Sequence, residues 1–443
     1  MKKLTLSASL LAIFAATALP VHAQSLVELY ESARAFDASY QSAKSQYEAN
    51  QFKADQAKAL NLPTVGLGAG MSQSNISVTP SFGPSTDRGY GTQNATLSAS
   101  QPLFRPANSA QYEQGMKVLE LAQAQLLAAD QDLIVRVSQA YFEVLASQDS
   151  LTFVLAQKAA VAEQLASAKR NFEVGTSTIT DTREAQARFD LVIAQQLAAE
   201  NDLRVKKVAL DQLVGKSGAQ PKALSLPLVL TAPAPSNVEA WVQQSVDNHP
   251  SIRQAQTALD VAVLETARAR AGEKPTLDLV GSYTLLRNQD GSSTSAVGSN
   301  VSTASVGVNF NWPLFAGYAI QNRIRETLSL EDKARNDLEG AKRAVAQGTR
   351  TAYFGVDSLL GQVKALQAAE ASSQSALDAN KLGYQVGVRI NIDVLNAQSQ
   401  LFQTKRDLAK ARYDVLVNGL KLRQANGTLK PDDLQGVNSL LAK

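Results

Sequence analysis

Gln101-Pro102-Leu103-Phe104-Arg105-Pro106 closes one pattern of sequence and opens another. Before it, apolar and small or polar residues alternate. After it, up to Asn171, there is no proline, and only Gly115 interrupts a run rich in Ala, Gln, Leu and Val. That run predicts a helix over 107–173, roughly 100 Å long at about 1.5 Å per residue. Globular helices average about 11–12 residues, so this one is not built for an ordinary core. The stretch also returns. Asn311-Trp312-Pro313-Leu314-Phe315 opens a second run, predicted helical over 319–384.

Working outward, period-2 alternation predicts strands over 64–76 and 92–104 in the first half, and over 276–286 and 302–315 in the second. Val65, Leu67, Ala69 and Met71 oppose Gly66, Gly68, Gly70 and Ser72. Ala304, Val306, Val308, Phe310 and Trp312 oppose Ser305, Gly307, Asn309 and Asn311. Further helices are expected over 25–61, 180–214, 238–272 and 392–425. Pro221, Pro227, Pro233 and Pro235 mark 216–236 as a linker. The halves match in register. Ala140-Tyr141-Phe142 recurs as Ala352-Tyr353-Phe354, Phe172-Glu173-Val174-Gly175 as Tyr384-Gln385-Val386-Gly387, and Ala185-Gln186 as Ala397-Gln398, each 212 residues on. The expected organisation is a duplicated helix–strand–strand–helix–helix unit over 24–215 and 237–427, with a C-terminal segment over 428–443.

Lys2 and Lys3, the apolar run Leu4–Leu19, and Val21-His22-Ala23 read as a signal peptide over 1–23, cut before Gln24. Losing two lysines brings the 43 basic residues close to the 40 acidic ones. A near-neutral chain lacks the concentrated basic face that nucleic acid requires. With no cysteine there is neither a disulfide framework nor a lipid-modified N-terminal Cys. No later stretch offers 18 consecutive apolar residues, so no transmembrane helix is expected.

The two-faced strands have the length of an outer-membrane barrel wall. Four strands cannot close a barrel, since single-chain barrels start at about eight. Open edges in hydrocarbon would cost on the order of tens of kcal/mol, so several copies must share one wall. The competing reading is a soluble sheet covered by helices, or a periplasmic or secreted coiled-coil scaffold without a pore. Seven-residue apolar spacing at Leu119, Leu126, Leu133 and at Val137, Val144, Leu151 is compatible with paired, coiled-coil-like helices in either case.

These features together resemble the TolC family of outer-membrane efflux and type I secretion channels. The resemblance runs from Leu26 to Leu441. It rests on the duplication, the Pro-Leu-Phe entries at Pro102 and Pro313, the turns Phe172-Glu173-Val174-Gly175…Ile179-Thr180-Asp181 and Tyr384-Gln385-Val386-Gly387-Val388-Arg389…Ile392-Asp393-Val394-Leu395, and the C-terminal Gly427-Thr428-Leu429-Lys430-Pro431-Asp432-Asp433-Leu434. It implies a mixed α and β membrane protein: a homotrimer whose twelve-stranded barrel, set in outer-membrane lipid, continues into a long α-helical periplasmic barrel. The linker and C-terminal segment should pack as a mixed belt around the tunnel. The partners implied are a periplasmic adaptor and an inner-membrane transporter of ABC, RND or MFS type.

The resemblance also implies gate contacts. Tyr384 would bond Asp181, and Arg389 would bond Thr180 or Asp181, partly across subunits. Asp393 would form a carboxylate ring at the constriction. The family pattern has a second acid three residues on, where this chain has Asn396, so weaker cation selectivity and divalent block are implied. Taken alone, Thr180 and Asp181 read as a helix N-cap, and Arg389 with Asp393 as a solvated i,i+4 pair.

An enzyme is not expected, and no cofactor is implied. With His22 in the signal peptide, His249 stands alone beside Pro250, and without Cys it builds no triad and no metal cluster. Gly215-Lys216-Ser217 lacks the upstream glycine of a phosphate loop, where Leu210 stands.

Overall fold

The computed structural model describes residues 23–225 and 227–442, so the signal-peptide expectation falls almost wholly outside them. Thirteen elements follow in order: α1 (Leu26–Phe36), α2 (Ala38–Ala59), β1 (Thr64–Val78), β2 (Thr86–Phe104), α3 (Pro106–Glu173), α4 (Ile179–Val214), α5 (Val238–Asn248), α6 (Pro250–Ala271), β3 (Thr276–Asn288), β4 (Ser299–Asn311), α7 (Ala319–Gln385), α8 (Asn391–Ala425) and α9 (Asp433–Asn438). The helices α3 and α7 are 68 and 67 residues long.

Two expected helices are each split in two. The segment 25–61 breaks at Asp37, and 238–272 breaks at His249, 212 residues later. The causes differ. Asp37 leaves helical geometry and its carboxylate accepts the Tyr40 N–H at 2.8 Å, capping α2. His249 precedes Pro250, whose ring pushes the preceding residue to extended geometry and itself suits the first position of a helix. The last strand also differs, running 299–311 and not 302–315. Its partner β3 begins at Thr276 opposite Asn311, and Pro313 has no N–H to extend the ladder.

The chain forms two compact units, and neither coincides with a sequence repeat. Ser42–Ala128 and Pro250–Ala344 make one; Ala129–His249, the chain from Val345 onward and the described residues up to Gln41 make the other. Each unit thus draws on both halves of the duplication.

The first unit holds the sheet. It is antiparallel, in the order β1-β2-β3-β4. The stretch 101–106 is its corner piece. The β2–β3 register shifts between Pro102 and Phe104, a local bulge that ends pairing. Arg105 then donates two hydrogen bonds to the buried carboxylate of Asp278, at 2.7 and 2.6 Å, and Pro106 opens α3. A bidentate guanidinium–carboxylate pair fixes orientation as well as position. The one glycine of α3 sits where α2 packs closest: a Cβ on Gly115 would lie 3.0 Å from the Ala57 Cβ.

In the second unit the linker and the C-terminal segment bond to one another. Ser225 N–H donates to the Leu440 carbonyl at 2.9 Å, and Ala442 N–H to that of Ala223 at 2.8 Å. Tyr141, fully buried, donates to the Lys222 carbonyl at 3.0 Å. Its neighbour Phe142 packs on Tyr413, whose hydroxyl donates to Asp149 at 2.7 Å. Burial pushes the Asp149 carboxyl above the usual carboxylate range, with the Tyr413 bond opposing. A raised folded-state value means that stability is fully present below the unfolded value of about 3.9 and is lost as pH rises through the folded value. Asp149→Asn keeps an acceptor for Tyr413 and removes the buried charge. The variant is expected to match the wild type at pH below about 4 and to exceed its thermal stability at neutral pH, which a melting series across pH would read.

Candidate functional site

The sheet separates its residues by chemistry. Opposed residues of an antiparallel pair share a face, so the register defines rows. One face carries Leu279 with Val308, then Val65–Ala99–Gly281–Val306, Leu67–Leu97–Tyr283–Ala304 and Ala69–Ala95–Leu285–Ser302. From Leu277 to Leu285 this apolar band is roughly 27 Å of strand. The other face carries Gly66–Ser98–Ser282–Ser305 and Gly68–Thr96–Thr284–Thr303. Its hydroxyls bond one another, Thr96 to Thr284 at 3.1 Å and Ser282 to Ser305 at 2.8 Å.

Among the described residues, the apolar face is left uncovered. Val306 is 84% exposed, Met71 81% and Leu67 77%, and every residue of β4 is exposed. The edges β1 and β4 are unpaired among the described residues. A soluble sheet would bury such a face under helices. No described helix is long and apolar enough to cross a membrane.

The helix–helix turns lie in the second unit, and the duplication built both alike. At the α3–α4 turn, Gly175 has φ 77° and Thr176 N–H donates to the Asn171 carbonyl at 2.8 Å. At the α7–α8 turn, Gly387 has φ 78° and Val388 N–H donates to the Gly383 carbonyl at 2.8 Å. Both glycines supply the left-handed residue with which helices commonly end.

The two acids at equivalent places then diverge. Asp181 closes a capping box with Thr178: its N–H donates to the Thr178 hydroxyl at 3.2 Å, and its carboxylate accepts from the Thr178 N–H at 3.0 Å. The Ser177 hydroxyl donates to it at 2.6 Å, and these bonds hold its carboxyl below the usual carboxylate range. The N-cap is therefore Thr178, not Thr180 or Asp181, with Asp181 in the third helical position. Sequence reading could have found it: Thr178-x-x-Asp181 is a capping-box spacing. In the second copy Ile390 occupies the cap and makes no side-chain bond. Asp393 is consequently free of capping and meets Arg389 at 3.6 Å.

The other expected site residues have the following partners within the chain. The Tyr384 hydroxyl accepts from Asn171 at 3.2 Å. Asn396 accepts from the Arg188 guanidinium at 2.7 Å. Two residues went unnoticed in the sequence. Asn391, fully buried at the start of α8, accepts from Gln164 of α3 and donates to the Asp181 carbonyl at 3.4 Å. Arg188 ties α4 to α8. Neither lies in a motif, and only the packing of α8 against α3 and α4 brings them into play.

The family model for outer membrane efflux proteins matches the chain twice, over 29–216 and 241–428. The chain belongs to the outer membrane efflux protein family. Both matches start and end 212 residues apart, the offset of the sequence landmarks. The outer membrane protein TolC of Vibrio cholerae is 32% identical over 95% of this chain and 94% of its own length. The alkaline protease secretion protein AprF of Pseudomonas aeruginosa is 30% identical over 93% and 86%. The crystal structure of the outer membrane protein VceC of Vibrio cholerae has the same fold, with a TM-score of 0.78 at 20% identity, covering 91% of this chain and 96% of that one. This is the TolC-like family that the sequence motifs resemble. It places the chain in the outer membrane, with the helical tunnel in the periplasm, and it is a family of channels and not of enzymes.

Proposed function

We propose that three copies of this outer-membrane efflux protein close a twelve-stranded barrel, the β4 edge of each pairing with the β1 edge of the next. The carrying observation is the uncovered apolar face flanked by two unpaired edges. Left open in lipid, the edge N–H and C=O groups would cost on the order of tens of kcal/mol. Pairing them between copies removes that cost and turns the Ser/Thr face toward a water-filled lumen. A pore-free scaffold has no use for such a face.

The channel is a passive exit duct. A periplasmic adaptor joins it to an inner-membrane transporter of ABC, RND or MFS type. The α3–α4 and α7–α8 turns form its iris gate, with Thr180, Asp181, Tyr384 and Arg389 in the closing contacts and Asp393 and Asn396 at the constriction. Relatives named for secretion of a protease and for efflux support both a secreted-protein and a small-molecule cargo.

The test is biochemical. Full-length protein should fractionate with the outer membrane as an SDS-resistant, heat-modifiable oligomer of three chains and give discrete conductance in planar bilayers. A soluble periplasmic monomer without conductance would overturn the proposal.

A further inference from the structure

The first two turns of α8 carry Asp393 and, one turn on along the same face, Asn396. Their surroundings are not those of an acidic ring. Asp393 is half-buried and already faces the Arg389 guanidinium at 3.6 Å. Asn396 is exposed, and its side-chain oxygen accepts from Arg188 at 2.7 Å. Arg188 comes from α4, a different element of the other repeat, and among the described residues it forms no ion pair: its partner is an amide, which brings no negative charge. An arginine is protonated at any workable pH. These two contacts bring two guanidinium groups together with one carboxylate in each copy.

We infer that Arg188 is a selectivity-determining residue of the constriction. Its uncompensated charge offsets the ring of Asp393 and leaves the narrow end near neutral or mildly favourable to anions. The inference rests on the proposed channel and its constriction and adds the residue that sets its sign. Like charges repeated around a narrow passage act together on one permeant ion. Three copies of Arg188 set against three of Asp393 thus cancel a field that Asp393 alone would impose.

The pair also explains why 396 is an amide. A carboxylate there would meet Arg188 at hydrogen-bond distance and be neutralised by it. Asn396→Asp alone is thus expected to cancel the charge of Arg188 and to raise the cation-to-anion ratio about as much as Arg188→Gln does.

The experiment measures reversal potentials of the purified oligomer in planar bilayers under a potassium chloride gradient at low ionic strength, where screening is least. Arg188→Gln should raise the cation-to-anion permeability ratio several-fold. Arg188→Lys keeps the charge but loses the fork, so its ratio should stay close to that of the wild type. A residue acting only as a strut between α4 and α8 would fail in both variants alike and would show in conductance, not in the ratio. Asn396→Asp in the Arg188→Gln background should give the most cation-selective channel of the set. Two results overturn the inference: an Arg188→Gln ratio equal to that of the wild type, or an Asn396→Asp ratio equal to that of the wild type. Absence of conductance from every protein, wild type included, would overturn the channel reading itself.

Discussion

Val306→Arg is expected to abolish assembly in the outer membrane, while Ser305→Arg, one residue away, is tolerated. The two positions are chemically similar in the isolated chain, since both are exposed on β4. They differ in the face they occupy. Val306 lies in the middle of the apolar band, in the row of Val65, Ala99 and Gly281, whereas Ser305 pairs with Ser282 on the hydroxyl face. An arginine on the lipid face at the bilayer midplane costs about 2–4 kcal/mol in a transmembrane barrel. In the proposed trimer, threefold repetition multiplies that to roughly 6–12 kcal/mol, comparable to the whole stability of a typical domain. On the lumen face the guanidinium stays hydrated and costs little. The readout is the abundance of SDS-resistant oligomer in the outer-membrane fraction. Equal loss for both variants, or for neither, would remove the lipid from one side of the sheet.

The two-faced strands were legible because a membrane β-sheet has no helix layer to blur its alternation. Ala304 to Phe310 shows this most clearly, and the apolar side chains that sequence assigned to one face lie on one face. The strand ends were less legible. Gly89 reads as loop, yet it pairs with Asn75 inside β2, because membrane strands outrun the apolar band and their outer ends need no hydrophobic pattern. The break at His249 carried a proline as its signal. The break at Asp37 carried none: it depends on a cap and on Arg136, which donates to the same carboxylate at 2.9 and 3.0 Å from 99 residues away. The compact units were not legible at all, since a repeat in sequence says nothing of which halves pack together.

The turns show the same division. Gly175 and Gly387 announced them, for a left-handed residue must be paid for somewhere and glycine carries it at least cost. The capping box was written in Thr178 and Asp181. What could not be read was the set of long-range partners. Asn171 with Tyr384, Asn391 with Gln164 and Arg188 with Asn396 each join residues more than 200 positions apart. Helices rich in Ala, Gln and Asn offer many equivalent polar positions, and only the relative rotation of the packed helices selects among them.

The second large effect concerns the gate. Tyr384→Phe combined with Arg389→Ser is expected to raise single-channel conductance several-fold. Tyr384 is the last full turn of α7, and its hydroxyl takes a hydrogen bond from Asn171 at the end of α3. Phenylalanine keeps the ring, which packs on the Leu377, Val394 and Leu401 cluster, and loses only that bond. Arg389→Ser removes the guanidinium that meets Asp393 and frees the start of α8. A neutral hydrogen bond contributes about 0.5–1.5 kcal/mol and an exposed ion pair about 0.2–1 kcal/mol, so one copy changes modestly. In the proposed threefold iris all copies move together on opening, and the summed loss of roughly 2–7.5 kcal/mol is enough to shift a closed equilibrium toward open. The geometry adds a discriminating arm. Asn171→Ala removes the same hydrogen bond from its other end, so it should reproduce the Tyr384→Phe conductance and add nothing to it when the two are combined. Asp181 is committed to capping α4, and Asp181→Asn should leave that bond untouched. Conductance that rises with Asp181→Asn but not with Asn171→Ala would transfer the tyrosine's closing contact to Asp181 and show that the gate is tied across its turns in a different pattern.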